Sequence, residues 1–534
     1  MIDLIFGSRR RMLATVLFLA AAIPNAFAFA PSLIDALRDG NREAVDRLIG
    51  ETSEVTATEA DGSTPLHWAI ELGQTDVAKK LITAGADVNA ATRFNVTPLH
   101  LAALHGNAEV IQALVDAGVD PNSTALEGET ALMTAALNGS TDALRALLRN
   151  GANVNDREPE HGQTALMWAA GKGNSDAIKL LIEYGAPVSA ESSGGYSALM
   201  LAVLNDRMDA VETLLDLGAN IEDSIPDGTT ALNVAILNGH YDLASMLLDR
   251  GADPNAKDAR GSALHSVIFM RKPGSSWEAA GLGQEPVPVP RPMGEVNGLA
   301  LARKLIEHGA DVNKRIDWKE MHMTKSLGTT RNPPNINLGR HHLSLVGATP
   351  FYSAARNGDI NMMHLLVESG ADPNINTEVG VTPLMASTCL DYYEGESPGP
   401  TTGVPEAERL EAVKYAVELG NDVNAHTHLG DYPMIGSAEF TLLTYPENMD
   451  DLLDLGVGDP RWDGMAAIHG AVICNQPSIL KYLLEAGADP ESENRLGWTP
   501  LMITQGIFMA NSKKEFPVAA EMLREAIAEK HAGN

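Results

Sequence analysis

The sequence predicts an all-α solenoid in which short helix–turn–helix units of about 33 residues are joined by hairpin loops. Three observations carry this. Thr64-Pro65-Leu66-His67-Trp68-Ala69 returns as Thr97-Pro98-Leu99-His100-Leu101-Ala102, and the same phase continues at Thr130, Thr164, Ser197, Thr230, Ser262, Thr349, Thr382 and Thr499. A second motif follows each by some twenty residues: Gly85-Ala86-Asp87-Val88-Asn89, Gly151-Ala152-Asn153-Val154-Asn155, Gly251-Ala252-Asp253-Pro254-Asn255, Gly309-Ala310-Asp311-Val312-Asn313 and Gly370-Ala371-Asp372-Pro373-Asn374. Between the motifs, apolar residues fall at helical spacing, as in Leu66, Ala69 and Ile70, then Val77, Leu81 and Ile82.

Each part of a unit has a local reason. Thr or Ser caps the first helix, and Pro or Ala at its first turn is tolerated because that N–H has no helical partner. Gly73 turns the chain between the helices, and Gly85 ends the second one in the left-handed region that only Gly enters cheaply. Asp87 and Asn89 favour the turn into the next unit. One unit cannot bury its apolar face alone, so neighbours must stack.

In chain order, residues 29–60 (Leu33, Ala36, Gly40, Ala44, Leu48) keep the register with polar substitutions, as an N-terminal cap should. Regular units fill 61–270, an insertion spans 271–298, and the second helix of that same unit occupies 299–313. A basic hairpin insertion follows at 314–347. Units resume over 348–498 with a further insertion near 391–405, and 499–534 forms a C-terminal cap. Degenerate motifs at Tyr432-Pro433-Met434 and Ala466-Ala467-Ile468-His469 are read as units.

These two motifs, in phase over nearly the whole chain, resemble the ankyrin-repeat family, and the insertions resemble those of secreted bacterial members. The resemblance implies a protein partner held on a concave surface of first helices and hairpin tips. Carried over, Leu104, Leu137, Leu204 and Leu237 occupy matching late positions of the first helix, beside His105, Asn138, Asn205 and Asn238. Those residues either form a recognition stripe or complete the packing between units. His67, His100, His265 and His469 belong to the repeat motif and are read as structural.

The insertions carry the individuality. Residues 271–298 include Val-Pro-Val-Pro-Arg-Pro, which should be extended near polyproline II geometry, with Trp277 as the large apolar anchor. The stretch is either a flap packed on the solenoid or the rim of a partner groove. Residues 314–347 hold Lys314, Arg315, Lys319, Lys325, Arg331 and Arg340 against Asp317 and Glu320, a local net of about +4. That segment either folds back on the protein's acidic surface or docks a partner. It also carries His322, His341 and His342, but adjacent His341-His342 is poor spacing for two ligands of one ion, and no metal or cofactor is expected.

Of the ionisable side chains, 70 are acidic and 39 basic, and the net of −31 repels phosphate backbones, so nucleic acid is not an expected partner. Residues 1–28 read as a signal peptide: Arg9-Arg10-Arg11, an apolar run to Ile23, Pro24, then Ala26-Phe27-Ala28. Sec export to the periplasm or medium is expected, and the twin-arginine route is the alternative suggested by Ser8–Leu13. No later segment is long and apolar enough to span a bilayer, and a monomer is expected. Cys389 and Cys474 sit two units apart in this reading, and units about 10 Å apart would keep them beyond disulfide reach. There is no G-x-S-x-G, H-E-x-x-H, Walker A or G-x-G-x-x-G motif. The expected function is a non-enzymatic exported scaffold. The alternative is an accessory protein for an exported redox or metal-dependent enzyme.

Overall fold

The computed structural model describes residues 32–532 apart from 126, 226–227, 257–260, 272–293, 317–346, 379, 389, 391–403, 429–462 and 507–514. The described elements are helices, arranged as stacked pairs, and the chain divides into two compact bodies after Ile225.

In the first body, a cap of Leu33–Arg38 and Arg42–Leu48 precedes five inner/outer pairs. These are Pro65–Glu71 with Thr75–Thr83, Pro98–Leu104 with Ala108–Asp116, Ala131–Asn138 with Thr141–Arg149, Ala165–Lys172 with Ser175–Glu183, and Ala198–Leu204 with Met208–Asp216. Capping is as expected: Thr64, Thr97, Thr130, Thr164 and Ser197 each accept a backbone N–H three residues on. Ala69, Ala102, Ala135, Ala169 and Ala202 are fully buried, and their small side chains let helices approach closely. Leu66, Leu81, Leu99 and Leu114 fill the space around them, each contributing about 1.5–3 kcal/mol by leaving water. Gly85, at φ 91°, closes its outer helix in the left-handed region.

The cap is locked by an aromatic contact. Arg38 lies 3.9 Å over the Trp68 ring and pairs with Glu59 at 2.7 Å, while Trp68 Nε1 donates to the same carboxylate at 2.7 Å. Where the spacing from Thr130 to Thr164 runs one residue long, buried Glu158 absorbs the surplus. Its carboxylate accepts the N–H groups of Glu160 (2.8 Å), His161 (3.0 Å) and Gln163 (3.0 Å), so the longer loop keeps its donors satisfied.

The second body stacks six pairs: Ala231–Leu237 with Tyr241–Asp249, Ala263–Arg271 with Gly298–Glu307, Pro350–Arg356 with Ile360–Glu368, Pro383–Ser387 with Glu406–Glu418, Ala467–Ile473 with Pro477–Glu485, and Pro500–Ile503 with Pro517–Ala532. The last helix buries Ala519, Ala520 and Leu523 and turns Glu521, Arg524, Glu525 and Glu529 to water, as a terminal cap requires. Inner helix Ala263–Arg271 runs to Arg271 and its outer partner begins at Gly298, so both ends of the 271–298 stretch are helical.

The unit expected at Tyr432-Pro433-Met434 falls in 429–462, outside the described residues. Its neighbours nevertheless correct that reading, because the pairs on either side pack directly on each other. Asn424 Nδ2 donates to Gly487 O (2.9 Å), and Asp489 N donates to Asn424 Oδ1 (2.8 Å). The described pairs Pro383–Ser387/Glu406–Glu418 and Ala467–Ile473/Pro477–Glu485 are thus direct neighbours, with no described helix pair between them. The consequence for the cysteines is that their helices belong to adjacent units rather than units two apart. Cys474 is buried, and Cys389 lies outside the described residues.

Both long hairpin insertions leave from one kind of place. Ile316 N donates to Ala348 O (2.9 Å) and Gly347 N to Ile316 O (2.9 Å), closing the base of 317–346. Thr427 N to Met465 O (2.8 Å) and Gly464 N to Thr427 O (3.0 Å) close the base of 429–462 in the same way. The Ser262 and Thr382 units are thus each interrupted twice, between their helices and at the following hairpin, with one plain unit between them.

One local conflict generates a prediction. Asn233 occupies the motif position held by His, Met or, in the Thr349 unit, Tyr352; it is fully buried, and neither amide atom has a hydrogen-bond partner. Asn233→Met, the residue at Met133, Met167 and Met200, should raise the unfolding free energy by about 1 kcal/mol in urea titration. A loss of stability would show that the amide is satisfied in solution.

Candidate partner-binding surface

The surface begins with what the motif histidines do. His67 Nδ1 accepts the Thr64 backbone N–H at 3.2 Å, which leaves the proton on Nε2, and Nε2 donates across to Val96 O in the next hairpin at 3.1 Å. The same bridge runs from His100 to Glu129 O (3.2 Å), His265 to Ala348 O (3.3 Å) and His469 to Ser492 O (3.1 Å). Burial pushes His265 and His469 down to about 4, against backbone acceptors that pull upward, and it lowers His67 and His100 as well. These imidazoles are therefore neutral braces between units.

With the stack fixed, the inner helices present their last turn. Leu104, Leu137 and Leu204 lie in the last turns of their helices in the first body, and Leu237 in the last turn of its helix in the second; all four are partly buried. Leu72, one position later in its own unit, is 42% exposed. The polar neighbours are already engaged. Asn138 Nδ2 donates to Leu104 O (3.1 Å) and Thr134 O (3.2 Å), Asn205 Nδ2 to Leu201 O (2.7 Å), and Asn238 Nδ2 to Val234 O (2.8 Å). His105 Nε2 meets Glu71 at 2.9 Å, and that hydrogen bond raises its pKa. The amide nitrogens thus brace the helix ends, and the leucine side chains stay partly open.

The remaining candidates divide. Arg315 Nε donates to Gly347 O (3.1 Å) and its guanidinium to Asn376 O (3.2 Å), so this cation braces the base of the insertion. Lys314 is partly buried beside it. Trp277, Lys319, Arg340, His341 and His342 lie outside the described residues. Among the described residues, no group of three or more His, Cys, Asp or Glu could hold a metal ion, and no helix is long and apolar enough to cross a membrane.

Sequence reasoning missed two arginines at the interrupted units, one partly and one fully buried. Arg271 pairs two-pronged with Asp359 (2.6 and 3.0 Å), the N-cap of the next outer helix. Arg409, fully buried, donates to Arg356 O and Ser387 O (3.3 Å each), at the ends of two inner helices where carbonyls lack helical partners. The available signal was an Arg in the apolar phase of Arg409, Ala412, Val413 and Ala416.

Comparison with known proteins follows the same lines. The family description "Ankyrin repeats (3 copies)" matches residues 33–125, 99–192 and 186–258, and "Ankyrin repeat" matches 346–378 and 463–495. Among solved structures, the chain is similar to the ankyrin repeat domain of human ASB11 at 24% identity, covering 47% of this chain and 99% of that one, with TM-score 0.38. It is also similar to the ankyrin repeat domain of Bcl-3, a member of the IkappaB protein family, at 30% identity, covering 39% of this chain and 94% of that one, with TM-score 0.35. No curated protein matches.

The neutral braces set a pH dependence. A folded pKa below the unfolded value of about 6.5 means the unfolded chain takes up protons first as pH falls. The contribution of His265 and His469 is therefore complete above about pH 6.5 and lost on descent to about 4, at roughly 2–3 kcal/mol each. Urea midpoints should fall between pH 7.5 and 4.5, and much less so in His265→Met/His469→Met.

Proposed function

The chain belongs to the ankyrin-repeat family, and from that premise we propose that it is an exported, non-enzymatic scaffold that holds a protein partner against its inner-helix face. The observation that carries the reading is the set Leu104, Leu137 and Leu204 in the last turns of the second, third and fifth inner helices of the first body. Side chains there are partly open, whereas the amides beside them are spent on the helix ends. Apolar contact bounded by fixed polar groups is what a protein interface uses. The rest of the described chain is taken up by stacked helix pairs and caps, which leaves the inserted segments as the other source of specificity.

Export rests on residues 1–28, and the scaffold is read as a monomer without a nucleic-acid partner because of its charge of −31.

Partner capture from the periplasm tests the reading. The natural chain should retain a stoichiometric protein, and Leu104→Arg/Leu137→Arg should lose it by roughly tenfold or more, while Lys79→Glu on an outer helix should not. A chain lacking residues 1–28 should stay inside the cell. Equal capture by all variants, or export without residues 1–28, would contradict the proposal.

A further inference from the structure

The way the amides point sets the chemistry of the partner. Resting on the reading just given, we infer that the partner segment seated on the first body's inner-helix face is cationic and rich in hydrogen-bond donors, with apolar side chains set against the leucines.

Asn138 and Asn205 both spend Nδ2 on carbonyl oxygens of their own helix, at Thr134 O (3.2 Å) and Leu201 O (2.7 Å). Only a nitrogen can donate to a carbonyl, so the flip state of each amide follows from its partner. Each Oδ1 is left turned away from the helix end. The stripe therefore offers acceptors, while both Asn138 N–H donors (to Leu104 O and Thr134 O) and one of the two on Asn205 are consumed. An arginine, a lysine or the backbone N–H groups of an extended segment would satisfy those acceptors, whereas a carboxylate would face them without a proton.

Charge points the same way. Residues 32–225 carry 29 acidic against 12 basic side chains. Glu127, Glu160 and Glu191 are exposed on the hairpins of these units. On the stripe itself, His105 is tied to Glu71 at 2.9 Å, leaving Lys172 as its lysine. An acidic partner would meet like charge along the whole body, and such juxtaposition opposes binding.

The stripe starts at Leu104, since the first unit carries Glu71 at this position, and it is interrupted once after that. Where other units carry Leu104, Leu137 and Leu204, the fourth unit carries Gly171. A Cβ built there would meet only Asn205 Nδ2, at 3.8 Å, which is ordinary contact. Gly171 is itself buried, but the position adjoins Asn205 and accepts a Cβ without strain, so a longer side chain can carry a charge out from it while the helix gains propensity.

Two synthetic peptides matched in length and leucine content, one with Lys and Arg and one with Glu, are titrated calorimetrically into the natural chain at about 0.15 M salt, where diffuse attraction is screened. The cationic peptide should bind saturably, one per chain, and the acidic one should not. Gly171→Arg should weaken the cationic peptide by roughly tenfold or more, Gly171→Glu should not, and Glu183→Arg on the outer helix should change it less than about twofold. Equal binding of the acidic peptide, equal loss in Glu183→Arg, or binding of neither peptide would overturn the inference. In each of those cases, retention of the natural partner and its loss in Leu104→Arg/Leu137→Arg would still uphold the inner-helix face as the docking surface.

Discussion

The asparagine that closes the Gly-x-Asp motif holds one unit to the next along the second body, and the order of that stack depends on it. In the second body Asn255 donates to Gly309 O at 2.8 Å and accepts from Asp311 N at 2.7 Å. Asn313 does the same to Gly370 O and Asp372 N, and Asn424 to Gly487 O and Asp489 N. Asn122 repeats it in the first body with Gly151 O and Asn153 N. Each bond is worth about 0.5–1.5 kcal/mol net, which is modest. Its value lies in position, because a side-chain amide offers donor and acceptor at once and fits one register.

This clamp explains how the solenoid tolerates large interruptions. From Asn313 to Gly370 the sequence separation is 57 residues, and from Asn424 to Gly487 it is 63, yet the contacts match those of uninterrupted neighbours. Lengthening a closed loop costs only about 0.6 kcal/mol per doubling once its ends are held. The ends are held by the backbone pairs at Ile316/Ala348 and Thr427/Met465 and by the histidine bridge from His265 to Ala348. Between the helices of the interrupted units, Arg271 and Arg409 provide the equivalent bracing.

Most of the architecture was legible because two motifs with separate physical causes kept phase. Thr64 and its equivalents cap, Gly85 and its equivalents terminate, and the caps at both ends follow from where polar residues replace apolar ones. The unit read at Tyr432 was misplaced because Tyr-Pro-Met imitates the capped start of an inner helix. Whether a start leads into a stacked pair depends on contacts remote in sequence, here Asn424 with Gly487 and Asp489. The leucine stripe was legible as a position, and the dual duty of its asparagines was not. Nothing in Leu-Asn tells which end of the amide faces the helix; that depends on the carbonyl at Leu201 or Val234. Arg271 looks like an ordinary surface cation until its partner Asp359 is known, whereas Arg409 already stands out by its place in an apolar phase.

Hydrogen–deuterium exchange on Asn313→Ala, beside a chain in which residues 317–346 are replaced by a short Gly-Ser turn, tests whether the clamp sets the stack. Loss of the amide should speed exchange in both Gly298–Glu307 and Ile360–Glu368. Shortening the insertion should leave both helices protected as before. The opposite pattern, protection unchanged without the amide and lost without the insertion, would contradict the account.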